Sequence, residues 1–156
     1  MLMFLMSLAY ANFAPNALLC LDNDGNILPI NNSQVIEWKH NTPNQFLERG
    51  HVLGRITKIY PDKSGHDHFQ VNIDGRDTIE FVYNEDFGGL PQLKTGMIAE
   101  GCGDYITSNV PTSKYPASPD GAILHWIHMS TGRHLHGFLK LNNNIYGTFN
   151  LTNKSI

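Results

Sequence analysis

Polar and apolar positions alternate over long stretches of this 156-residue chain. From Gly50 the period is two: Val52, Gly54, Ile56 and Lys58 interleave with His51, Leu53, Arg55, Thr57 and Ile59. That period puts successive side chains on opposite faces, as in a half-buried strand. Tyr60-Pro61-Asp62-Lys63-Ser64-Gly65 reads as a turn cluster, His66–Ile73 as a second strand and Asp74-Gly75 as a tight-hairpin signal. Thr78–Tyr83 follows, with Ile79, Phe81 and Tyr83 on one face. Residues 84–95 are irregular. Met97–Ile106 is a fourth strand, Ser108–Gly121 a proline-rich loop, and Ala122–His128 a fifth strand. A last hairpin is expected over Phe138–Leu141 and Ile145–Phe149, turning at Asn142-Asn143-Asn144.

Helical signals are short and lie before Gly50. Ser33–His40 can form a short helix capped by Asn32 or Ser33. Thr42-Pro43-Asn44-Gln45 has the stronger start signal, with Thr42 as cap, Pro43 at the first helical position, Gln45 completing a capping box and Gly50 ending the helix. The expected fold is therefore mainly β. Five strands, with the irregular stretch between the third and fourth, match a small Greek-key barrel of the OB type with a short helical N-terminal extension. A lipocalin-like barrel or a sandwich is the alternative. The expected organisation is a signal peptide over 1–11, an arm with short helices over 12–49, the barrel over 50–149 and a tail over 150–156.

The signal-peptide expectation rests on Met1–Ala11, an apolar run ending in Ala9-Tyr10-Ala11, an A-x-A cleavage pattern. The run lacks a basic flank and is too short to span a membrane. Export, to the periplasm or beyond, would make Cys20 and Cys102 a disulfide pair. Such a bridge would close a loop of roughly 80 residues and add about 4 kcal/mol. Two separate buried thiols are the alternative. The net charge of −3, with no Lys/Arg run, excludes non-specific nucleic-acid binding, which needs a cationic stripe. Asp22-Asn23-Asp24-Gly25-Asn26 resembles the start of a calcium loop but lacks the later ligands, and is taken as a turn.

The chemistry concentrates in Ala122–Phe138, which holds four of the eight histidines. His125 and His128 face opposite ways on a continuous strand, so both reach one site only if the strand breaks between them. His134 and His136 are two apart, as are His66 and His68 in the second strand. Histidines converging from separate elements would suit a divalent metal such as zinc. Gly132-Arg133-His134 sets a cation beside an imidazole, a pairing suited to a phosphate or carboxylate. No nucleophile elbow Gly-x-Ser-x-Gly occurs.

These residues carry a resemblance. The chain from about Gly50 to Tyr146 resembles the bacterial domain-of-unknown-function 3465 family, small exported proteins with no established activity. Its signature, H-W-T-H-H-D-P-R-G-R-H-P-x-G-W, is similar to His125-Trp126-Ile127-His128, Gly132-Arg133-His134 and Gly137. Its R-H-Q-R-F and H-N-x-D segments look like Gly65-His66-Asp67-His68-Phe69 and Tyr83-Asn84-Glu85-Asp86. The resemblance favours His66 over His68. Met129 stands where the signature has its second adjacent histidine, Phe138 replaces the final Trp, and one residue is missing before Gly132.

The expected function is an exported binding module for a metal ion or small anionic ligand. Its metal candidates are His66, His125, His128 and His134, and its ligand-binding candidates are His66, Asn84, Asp86, Trp126 and Arg133. One alternative is a metal-dependent hydrolase of the phosphodiesterase or nuclease type, with His125, Arg133 and His134 as catalytic candidates. The other is a secreted interaction protein with structural histidines.

Overall fold

One strand is long enough to serve two neighbours, and the barrel closes through it. In the computed structural model, which describes residues 18–148, β1 runs Leu47–Ile59. It is followed by β2 (His66–Ile73), β3 (Asp77–Asn84), a 3-10 turn (Glu85–Phe87), β4 (Ile98–Thr107), β5 (Ala122–His125), β6 (Phe138–Leu141) and β7 (Asn144–Tyr146). Helix α1 (Asn32–Asn41) precedes them. The order is β1-β2-β3-β5-β4, and β4 pairs back onto β1 from Leu47↔Ile106 to Arg55↔Ile98. The far half of β1 pairs with β2 instead. The β3–β5 contact is parallel and the other pairings are antiparallel. The protein is thus mainly β, a closed five-stranded barrel, with β6 and β7 added along β4.

The two-residue period holds inside. Val52 and Ile56 of β1, Phe69, Val71 and Ile73 of β2, Ile79, Phe81 and Tyr83 of β3, Tyr105 of β4 and Leu124 of β5 are all buried in one cluster. Each large side chain of this kind contributes about 1.5–3 kcal/mol by leaving water. Helix α1 plugs one end: Val35 is buried, and Trp38 packs 5.3 Å from Tyr105 and 5.8 Å from Phe46, centroid to centroid. Lys39 reaches Asp77 Oδ1 (2.5 Å) and ties the helix to β3.

Several expectations are corrected. The segment from Thr42 is not a second helix. Thr42 instead ends α1, its N–H and hydroxyl both donating to the Trp38 carbonyl. Pairing with β4 draws Leu47–Gly50 into β1, which outweighs the local capping signal. β1 therefore begins at Leu47, ahead of the expected Gly50. β5 stops at His125 rather than His128, and β7 is only Asn144–Tyr146. The expected signal peptide over 1–11 and the tail over 150–156 lie outside the described residues.

The N-terminal arm lies against the barrel. Cys20 is bonded to Cys102 of β4, with Cα atoms 5.6 Å apart and a sequence separation of 82. The Asp22 loop is a turn: Asp22 Oδ1 accepts from the N–H groups of Asp24 (3.0 Å) and Asn26 (2.8 Å). Asn31 and Asn32 then line the part of β1 that β2 leaves unpaired. Asn31 exchanges bonds with His51, its N–H donating to the His51 carbonyl and its Oδ1 accepting from the His51 N–H. The Asn32 amide spans both the N–H and the carbonyl of Leu53. The Asn31 side chain is therefore spent on β1 and makes no cap bond to α1. Among the described residues no helix is long and apolar enough to cross a membrane.

Candidate ligand site on the outer face of the barrel

β5 and β6 lie end to end along the same edge of β4. β5 pairs with Asp104–Thr107, and β6 with Ala99–Cys102. Between them the chain leaves the sheet at Trp126 and rejoins it at Phe138. Trp126 makes that exit with φ +55, a left-handed conformation that costs a bulky L-residue about 1–2 kcal/mol. Strain of this kind persists where surrounding bonds hold it, and it clusters at functional sites. Here Met129 N–H donates to the Gly147 carbonyl (2.6 Å) and Gly137 N–H to the His128 carbonyl (2.8 Å). Gly137 also fits where a Cβ would collide with the Trp126 and Cys102 carbonyl oxygens.

This break settles the strand-parity question. His125, the last residue of β5, keeps the outward face it shares with Asp104 opposite. His128, beyond the left-handed Trp126, returns to the same neighbourhood. The Trp126 ring centroid lies 5.4 Å from His125 and 5.3 Å from His128, and it stacks on His134 at 3.7 Å and 13°. His66 arrives from β2, its ring 5.7 Å from that of His125. His68, on the same face of β2, lies 6.4 Å from His66. His66 and His125 therefore share the outer face of the sheet, and the loop after β5 brings His128 and His134 beside them around Trp126.

Their hydrogen bonds share a pattern. Nδ1 of His134 faces Asp104 Oδ2 (2.7 Å), that of His68 faces Glu80 Oε1 (2.7 Å), that of His128 the Met129 carbonyl (2.8 Å), and that of His66 the Ser64 carbonyl (3.1 Å). These oxygens only accept, so each Nδ1 carries the hydrogen, and each neutral ring is left with its lone pair on Nε2. Burial pushes the His125 ring down to about 4, and the neighbouring His66 and His128 add to the effect while Asp104 opposes it. Burial likewise lowers His128, against the pull of its Met129 bond. His128 is 1% exposed and stacks on Phe87 at 3.6 Å, and its Nε2 is buried with no hydrogen-bond partner among the described residues. His51 differs: Nδ1 faces the Leu28 carbonyl and Nε2 faces Glu100, so it is fully used structurally.

The expected shell is nevertheless not closed. Among the described residues, no three of these histidines bring ligand atoms within 4.8 Å of one another. The triad that does is Asp62, Asp67 and Glu85, where burial, followed by the two neighbouring carboxylates, raises Asp67 to about 6. Other candidates fall away from the cluster. Asn84 Oδ1 accepts from Asp86 N–H and caps the 3-10 turn, and Asp86 itself is exposed. Arg133 is exposed and makes no side-chain hydrogen bond among the described residues. None of the five rings bonds a serine, threonine or cysteine side chain among those residues, so no catalytic dyad forms.

Sequence reasoning missed Asp104, Glu80, Arg49 and Phe87, and set His68 aside. The signal for His68 was present, since its spacing from His66 places both on one strand face. Asp104 and Glu80 become visible only once β4 and β3 are registered against β5. No protein-family model, curated protein or solved structure matches the chain, so the resemblance stands on the residues quoted for it alone.

Proposed function

We propose that this protein is an exported binding module whose histidine-lined barrel face takes an imidazole-preferring divalent metal ion, zinc being the reference case. The observation that carries this reading is the buried Nε2 of His128, which has no partner among the described residues. An unpaired buried acceptor costs about 1–3 kcal/mol, a cost that a metal at that nitrogen would remove. The surroundings fit. His66, His125 and His134 stand beside it, and two site rings are backed by carboxylates, the outer-shell arrangement common at metal-bound histidines. His66, His125 and His128 would supply Nε2, with His134 as the fourth donor.

A small anion suits the face less well. Glu80 and Asp104 place negative charge behind His68 and His134, and Arg133 bonds none of the site rings among the described residues. A purely structural role does not account for a buried nitrogen without a partner among the described residues. The Cys20–Cys102 bridge supports an oxidising compartment and hence export.

Isothermal titration of the metal-free protein with zinc tests the reading. One zinc per chain is expected, with affinity lowered about tenfold or more in His125→Gln and His128→Gln. Absence of zinc binding by the folded wild type would overturn it, and phosphate binding in its place would revive the anion reading.

A further inference from the structure

Arg49 is 2% exposed, and each of its three side-chain nitrogens is engaged. Nη1 donates to Asp104 Oδ1 (2.8 Å), whose other oxygen holds His134. Nη2 donates to the His136 carbonyl (2.8 Å), two residues beyond His134, and to the Cys102 sulfur (3.2 Å). Nε donates to the carbonyl of Leu21 (3.1 Å), the neighbour of Cys20. One guanidinium thus joins β1, the disulfide, the tethered arm and both sides of His134. We propose that Arg49 is the positioning residue of the site and that the Cys20–Cys102 bridge is its lock, so that opening the bridge loosens His134 and lowers zinc affinity. This rests on the zinc reading above.

The chemistry of the switch is ordinary thiol–disulfide exchange. A dithiol reductant supplies two electrons and two protons; the S–S bond breaks, two thiols form, and the reductant closes its own disulfide. The consequences at Arg49 are specific. The Cys102 sulfur, now a thiol free to turn away from Nη2, no longer fixes the guanidinium beside Asp104. Leu21 is released with the arm, removing the partner of Nε. Asp104 then shares a less fixed cation, and the His134 ring loses its fixed hydrogen-bond acceptor. The planar fork of Arg49 serves four partners in different directions, a task a lysine ammonium cannot reproduce.

The test combines zinc titration with ¹⁵N NMR of the His134 ring. The proteins are oxidised wild type, Cys20→Ser/Cys102→Ser, Arg49→Lys, and each variant combined with His134→Gln. Both variants are expected to bind zinc about tenfold more weakly than oxidised wild type. Adding His134→Gln should cause little further loss, because both changes act through the same ring. In metal-free wild type the His134 hydrogen should sit on Nδ1, and that preference should weaken in both variants. Should either variant fail to fold, wild type reduced with a dithiol, desalted and held anaerobically takes its place. Unchanged zinc affinity, fully additive losses, or an unaltered His134 tautomer would each overturn the proposal. If oxidised wild type binds no zinc, the zinc reading fails separately, and the NMR comparison still decides whether Arg49 positions His134.

Discussion

His128 and His51 make a controlled pair at the scale of single residues. Both are packed histidines, yet His51 bonds through both nitrogens while His128 leaves one without a partner among the described residues. Replacing His51 by Leu strands the Leu28 carbonyl and leaves Glu100 with Lys140 alone, whereas His128→Leu removes an uncompensated polar atom along with a single bond. Urea unfolding should therefore show His51→Leu to be the more destabilising by about 1–2 kcal/mol. Zinc affinity should respond in the opposite sense, falling sharply in His128→Leu. Equal losses of stability would mean that the His128 nitrogen is satisfied in solution. At this scale the sequence showed the histidines but not their partners. Asp104 and Arg49 lie 30 and 85 residues from His134, and only strand register brings them to it.

At the scale of elements, the site depends on a strand that stops early. β5 and β6 occupy one edge of β4, and residues 126–137 form an excursion between them, the size and placement of a functional Ω-loop. Gly137 is its return point, and a Cβ there meets two backbone carbonyls that cannot swing aside. Gly137→Ala is expected to cost more than about 2 kcal/mol and to disturb the Trp126–His134 stack, read as loss of near-UV circular dichroism. A variant as stable as wild type would show that the return path is not fixed. The two-residue period located β1 to β4 within a few residues, because their inward faces are continuously apolar. It overran β5, because Trp126 and Ile127 favour extended backbone and nothing local announces a left-handed tryptophan. The second helix, expected from Thr42, was lost to pairing with β4, a contact that no local window contains.

For the whole molecule, closure depends on distant parts meeting. The helix plug is tied to β3 where Lys39 and His40 meet Asp77. Burial alone would raise the Asp77 carboxyl, but bonds from Lys39, the Thr78 N–H and His40 hold it below its ordinary 3.8. A depressed carboxyl stabilises the fold above its unfolded value, and that contribution is lost as pH falls through the folded one. The Tm advantage of wild type over Asp77→Asn should therefore shrink as pH falls from about 5 through 3.8 and below. A constant difference would show that the pair is not linked to folding. The barrel class was legible because five short strands with turn signals constrain a chain of this length tightly. Its sealing by α1 was not, since the polar face of that helix gives little sign of what Val35 and Trp38 cover.

The Asn31–Asn32 pair, finally, bears on how copies of this protein behave toward one another. An unpaired strand edge is a template on which a second molecule can add a strand. Two side-chain amides stand in for that missing neighbour along His51–Leu53, so the exposed margin of β1 cannot recruit one. Asn31-Asn32-Ser33 is also a glycosylation sequon, but attachment at Asn31 would load a bulky glycan onto the amide nitrogen that donates to the Arg49 carbonyl (3.4 Å). Colloidal solubility and the acceptance of a glycan are thus opposed demands on one asparagine, and the fold has committed it to the first.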